Sequence, residues 1–123
     1  MIEIMHETEG KTLVVKATES LTSQDYENVF IPQLNQLIEK FGKISVVFNL
    51  AENFTGWELG AAWDDAVFGI QHRHDFEKVA IVTDKKWIEW ATKLGSYFID
   101  GQVAIYTPPE FQDAVSWVKQ QHN

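Results

Sequence analysis

Apolar and polar positions alternate with two different periods along this chain, and the changes of period mark out its elements. "IEIMHET" at 2–8 alternates with period two, the pattern of a half-buried strand. "EGK" at 9–11 reads as a turn and "TLVVKAT" at 12–18 as a second strand, so the two form a hairpin. From 24 to 41 the period lengthens, and Tyr26, Phe30, Leu34, Leu37, Ile38 and Phe41 share one helical face. Thr22 or Ser23 caps that helix, with Asp25 placed three residues after Thr22 as in a capping box. Pro32 is expected to kink or split it, and Gly42 closes it.

"KISVVFNL" at 43–50 is almost wholly apolar, as a strand buried on both faces must be. "KVAIVT" at 78–83 and "QVAIYT" at 102–107 follow the same rule. Helices are expected over 57–70, over 85–98 behind Asp84, and over 109–121 with Pro109 in the first turn. The order β-β-α-β-α-β-α-β-α predicts an α/β fold with a mixed, mostly parallel five-stranded sheet. Right-handed crossovers join the strands, and the hairpin supplies an antiparallel edge. The 123 residues suit a single domain, 1–123.

The segment "NFTGWELGAAWDDAVFG" at 53–69 has more apolar surface than a docked helix needs. At about 100° per residue, Leu59, Ala62, Trp63, Ala66, Val67 and Ile70 make one face, enough to hold it on a sheet. Trp57, Gly60, Ala61, Asp64 and Phe68 fall on the other. An aromatic face without a docking role points to a ligand groove, a partner or a membrane. Plain packing under a loop or a second copy of the chain is the alternative, and an isologous homodimer through this face follows from it. The next helix has a docking face of Trp87, Ile88, Ala91, Leu94 and Phe98, with Trp90 and Tyr97 at its edge beside Lys86 and Lys93. Rings beside lysines suit a membrane interface. "FTG" stands where a strand ends and the expected helix begins, at the carboxyl side of a parallel sheet, where such folds place ligands. There Thr55 is read as the N-cap.

Charge and composition narrow the chemistry. The net charge is −8, with 18 acidic and 10 basic residues, so a nucleic-acid partner is not expected. Residues 70–94 carry +1, which leaves −9 on the rest and makes this segment the best candidate for meeting an anion or headgroup. No cysteine is present, which excludes disulfides, a thiol nucleophile and a thiolate metal site. The amino-terminal residues lack a signal-peptide pattern, and no apolar run approaches the roughly 20 residues of a membrane span. A cytoplasmic protein, at most peripheral to a membrane, is expected. "HRHDF" at 72–76 offers His72 and His74 with Asp64, Asp65 and Asp75 nearby, but a pair of histidines two apart lacks a third fixed ligand. No metal, cofactor or catalytic constellation is expected, since adjacent helical acids such as Asp64 and Asp65 point apart.

"TSQDYENVFIPQL", "FTGWELGAAWDDAVFG", "HRHDFEKVAIVTDKKW" and "AVSWV" together resemble the SpoIIAA-like family of STAS/SEC14-type single domains of bacterial proteins. The resemblance implies a mixed sheet with helices, and relatives of two kinds. In anti-sigma-factor antagonists a serine in an Asp-Ser-x-Gly turn is phosphorylated. Phe54-Thr55-Gly56 stands at that place here with Phe for Asp, Thr for Ser and glycine one position early. SEC14-like (CRAL-TRIO) domains hold an apolar ligand under a mobile helix. The leading expectation is therefore a non-enzymatic binding domain for a small apolar or lipid-like ligand, with reversible membrane association through a mobile helix near 57–70. Its site would comprise Tyr26, Phe54, Thr55, Gly56, Trp57, Asp64, Phe68, Trp87 and Trp90. The alternative is a STAS-like protein-interaction or regulatory module without an intact phosphoserine motif.

Overall fold

The computed structural model describes residues 1–58, 67, 71–72, 74–95 and 100–120, and the side chains of 90, 91, 94 and 95 lie outside that description. A five-stranded sheet runs in the order β1-β2-β4-β6-β7. Its strands are β1 (Ile2–Ile4), β2 (Thr12–Ala17), β4 (Ile44–Leu50), β6 (Phe76–Val82) and β7 (Gln102–Tyr106). β1 pairs antiparallel with β2, from Ile2↔Ala17 to Ile4↔Val15, and the other pairings are parallel. The mixed sheet with an antiparallel edge is thus as the pattern predicts. Two short strands, β3 (Ser20–Leu21) and β5 (Gly56–Trp57), form a separate parallel pair that the pattern does not reveal.

The buried strands supply both faces of the sheet, as their largely apolar runs require. On one face Leu13, Val15, Val46, Phe48 and Leu50 pack with Tyr26, Phe30 and Leu34. On the other, Val14, Val47, Ala80 and Val82 pack with Ala114, Val115 and Val118 of helix α4 (Phe111–Lys119), which a 3₁₀ turn, Pro108–Glu110, precedes. Lys78 belongs to this second side. Only 2% exposed, it donates from Nζ to Trp117 O at 2.9 Å and Gln120 O at 3.2 Å. It thereby joins the Gln120 N–H on Trp117 O and gives Gln120 O a donor at the end of the helix, with the sign of charge that the helix dipole favours there.

β1 stops at Ile4, short of the expected residue 8. Thr8 N–H turns back to Met5 O, and the Thr8 hydroxyl both accepts from Val14 N–H and donates to Val14 O, so side-chain bonding replaces the ladder. The first long helix does change character at Pro32. α1 (Ser23–Asp25) leads into a π turn, Tyr26–Phe30, and then α2 (Ile31–Phe41), with Pro32 in the first turn of α2. The expected capping box is present: Thr22 Oγ1 accepts from Asp25 N–H at 3.1 Å, and Asp25 Oδ2 from Thr22 N–H at 2.9 Å. Partial burial raises the Asp25 carboxyl, but the Thr22 hydrogen bonds and the adjacent terminal ammonium outweigh it and hold the group below its ordinary range. α3 (Lys86–Gly95) starts after Thr83, whose hydroxyl accepts from Lys85 N–H at 3.1 Å.

Candidate functional site

β3 and β5 continue from the carboxyl ends of β2 and β4, and between them they build a ledge above that end of the sheet. Ser20 faces Gly56 and Leu21 faces Trp57. Backbone bonds flank the pair: Thr55 N–H donates to Glu19 O at 2.8 Å and Glu58 N–H to Leu21 O at 2.9 Å. Turning from β2 into β3 puts Glu19 at φ 57°, a region that costs a residue with a Cβ and that glycine would enter freely. Gly56, at φ 131°, uses the freedom that only glycine has.

This geometry corrects the reading of the junction. Trp57 lies on β5, not on a helix, so its position on a helical wheel carries no meaning. Thr55 precedes a strand and is not an N-cap. An exposed residue, it holds the ledge through its backbone. Glu58 follows β5 without helical structure, and the rest of the expected helix 57–70, with Asp64 and Phe68, lies outside the described residues except Val67, which is helical.

An aromatic cluster fills the ledge from the inside outward. Tyr26 and Phe54 are each 1% exposed. Trp57, half-buried, donates from Nε1 to the Tyr26 hydroxyl at 2.7 Å and meets Phe54 edge-on, with ring centroids 5.1 Å apart. Trp87 then meets Trp57 edge-on at 6.2 Å and 85°. Edge-to-face geometry sets the positive rim of one ring on the negative face of the other, the favoured arrangement for aromatic pairs. A Cβ at Gly56 would stand 3.4 Å from Trp87 Cη2, so the glycine also lets the tryptophan lie close to the ledge.

Six of the nine expected site residues therefore come together: Tyr26, Phe54, Thr55, Gly56, Trp57 and Trp87. The Trp90 side chain, with Asp64 and Phe68, is outside the description. The roles differ from expectation. Trp57 is a supporting residue with its polar atom bonded inward. Trp87, read as part of a docking face, is 49% exposed, while its neighbour Ile88 is buried. Sequence reasoning missed Glu19, Ser20 and Leu21. Nothing in "TESLT" marks a two-residue strand, because the partner strand lies 36 positions away in the chain.

The histidines are drawn to carboxylates. His72 Nδ1 is 2.9 Å from Asp75 Oδ2, and His74 pairs with Asp100. Among the described residues no group of three or more histidine or acidic side chains is placed to hold a metal ion. No helix among them is long and apolar enough to cross a membrane.

The sheet order and the antiparallel edge define an α/β fold with a mixed, mostly parallel sheet. The SpoIIAA-like family model matches residues 12–119. The chain belongs to the SpoIIAA-like family. It is similar to a crystal structure of an uncharacterized protein from the DUF3478 family, with a SpoIIAA-like fold, from Shewanella loihica PV-4. The identity is 31%, the TM-score 0.72, and the match covers 95% of this chain and 93% of that one. No curated protein matches the chain.

Proposed function

We propose that the protein is a non-enzymatic, STAS-like interaction module whose partner surface is the ledge at the carboxyl end of the sheet. The observation that carries this reading is Trp87: half exposed, yet held edge-on against a tryptophan that is itself bonded to a buried tyrosine. A rigid aromatic side chain loses little conformational entropy on binding, which is why such residues dominate protein interfaces. Family membership supports a regulatory role of this kind. Phosphorylation at Thr55 is not part of the proposal. Glu52 and Glu58 lie within three positions of Thr55, and Glu19 adjoins it through the backbone, so a phosphate there would meet like charge.

A second reading keeps the same residues for a small apolar or lipid-like ligand at a membrane surface, and the exposure of Trp87 supports it too. Charge favours the first. The exposed Glu19, Glu52, Glu58 and Asp84 outnumber Lys85 and Lys86 around the ledge, which disfavours an anionic leaflet. A photo-crosslinking amino acid placed at position 87 in the native host, with position 41 as a control at another exposed ring, separates the readings. Protein adducts that form from 87 and not from 41 are expected. Their absence, together with sedimentation on phosphatidylcholine or phosphatidylglycerol vesicles and a blue shift in tryptophan fluorescence, would replace the first reading by the second.

A further inference from the structure

The helix from Ser23 to Phe41 changes hydrogen-bonding pitch midway. Ile31 N–H donates to Tyr26 O, five residues back, whereas Gly42 N–H donates to Ile38 O, four back. A π turn holds one residue more than the α-helical turn it replaces. Pro32 gives it a reason to persist. Proline has no N–H to give to Asn28 O, and its ring would collide with that carbonyl at α pitch. The bond that would fix the α register is therefore missing at this point, and the two registers are closer in energy than elsewhere in the helix.

Tyr26 begins the π turn, and its side chain is tied from outside the helix. Its hydroxyl accepts from Trp57 Nε1–H at 2.7 Å, and its ring lies edge-on to Phe30 with centroids 5.5 Å apart. A return to α pitch would rotate the upstream residues by about 100° and advance them by about 1.5 Å relative to α2. The Tyr26 hydroxyl would then leave Trp57, and both polar groups are too enclosed to lose a partner without cost.

We infer that the Tyr26–Trp57 hydrogen bond sets the register of the π turn, so that displacement of Trp57 from the ledge is transmitted to α1 as a one-residue shift. Trp57 touches Trp87, the residue a partner would meet first, so the helix is placed to respond to what happens at the surface. The coupling is a property of this chain alone and holds whichever partner meets Trp87.

Amide hydrogen exchange on the full chain tests it without a partner. Tyr26→Phe removes the acceptor and Trp57→Phe the donor, each keeping a ring in place. Each is expected to speed exchange at Ile31 by about five- to tenfold, the worth of one such hydrogen bond. Val47 and Val115, one in β4 and one in α4, should stay within about twofold of wild type. The double variant should exchange no faster than Tyr26→Phe alone, since the bond that Trp57→Phe removes is already absent there. Unchanged exchange at Ile31, equal acceleration at all three amides, or single effects that multiply would each overturn the inference.

Discussion

The two ends of the parallel sheet are held by different physics. At the carboxyl end, aromatic rings stack from a buried tyrosine to a half-exposed tryptophan, over a ledge whose backbone includes a non-glycine residue at positive φ. At the amino end, ion pairs tie the strands. Lys11 Nζ lies 2.5 Å from Glu77 Oε2, and His74 pairs with Asp100. An open groove of about 440 Å³ there is lined by charged side chains, including Lys11, Lys43, Glu77 and Asp100. Exposed ion pairs are worth little and are weakened by salt, whereas edge-packed aromatics with a buried hydrogen bond resist water and salt alike. The unusual features gather at the carboxyl end, where parallel folds place ligands. There the chain carries strain that the amino end does not show among its described residues.

Substitutions that act unequally on the two ends break this comparison. Phe54→Ala empties a fully buried site beneath the ledge and should cost about 3–5 kcal/mol in urea unfolding. Gly101→Ala is the matching insult at the amino end. The added Cβ would stand 2.3 Å from Phe76 O, a backbone atom that cannot swing away. A loss of about 1–3 kcal/mol is expected for such overpacking. Lys11→Gln opens the pair with Glu77 and should cost less than about 1 kcal/mol, with the difference from wild type shrinking as salt rises. A larger or salt-insensitive loss would show the amino end to be more tightly held than described.

The smallest effect is a dependence on pH. The Asp25 carboxyl has a depressed pKa in the folded chain. Its contribution to stability is therefore fully present above the ordinary unfolded-state value, and it is lost as pH falls through the folded one. Asp25→Asn should flatten the acid limb of a stability profile below about pH 4 and leave neutral pH little changed in slope.

Long elements were legible in the sequence because each carries several periods of its pattern. β4 and β6 announce themselves as largely apolar runs, and Thr22 with Asp25 marks the start of α1. Pro32 foretold the break in the helix but not its form, since a π turn leaves the apolar face continuous. β3 and β5 were not legible, because two residues cannot display a period. Spacing alone assigns Trp57 to the following helix, whereas the backbone places it on β5. Glu19 at positive φ was hidden for the opposite reason, as that conformation is ordinarily signalled by glycine or asparagine. The pairing of Lys11 with Glu77 spans 66 positions and exists only once the sheet is assembled. The candidate site was found in outline because aromatic residues cluster around a strand end. Which tryptophan supports and which is presented depends on backbone geometry.

The stability of Trp87→Ala tests that assignment most directly. If Trp87 is presented by the ledge and is not needed to hold it, urea unfolding should place the variant within about 1 kcal/mol of wild type. A loss of about 3 kcal/mol or more, as expected for truncating a buried aromatic residue, would contradict the account and make Trp87 part of the core.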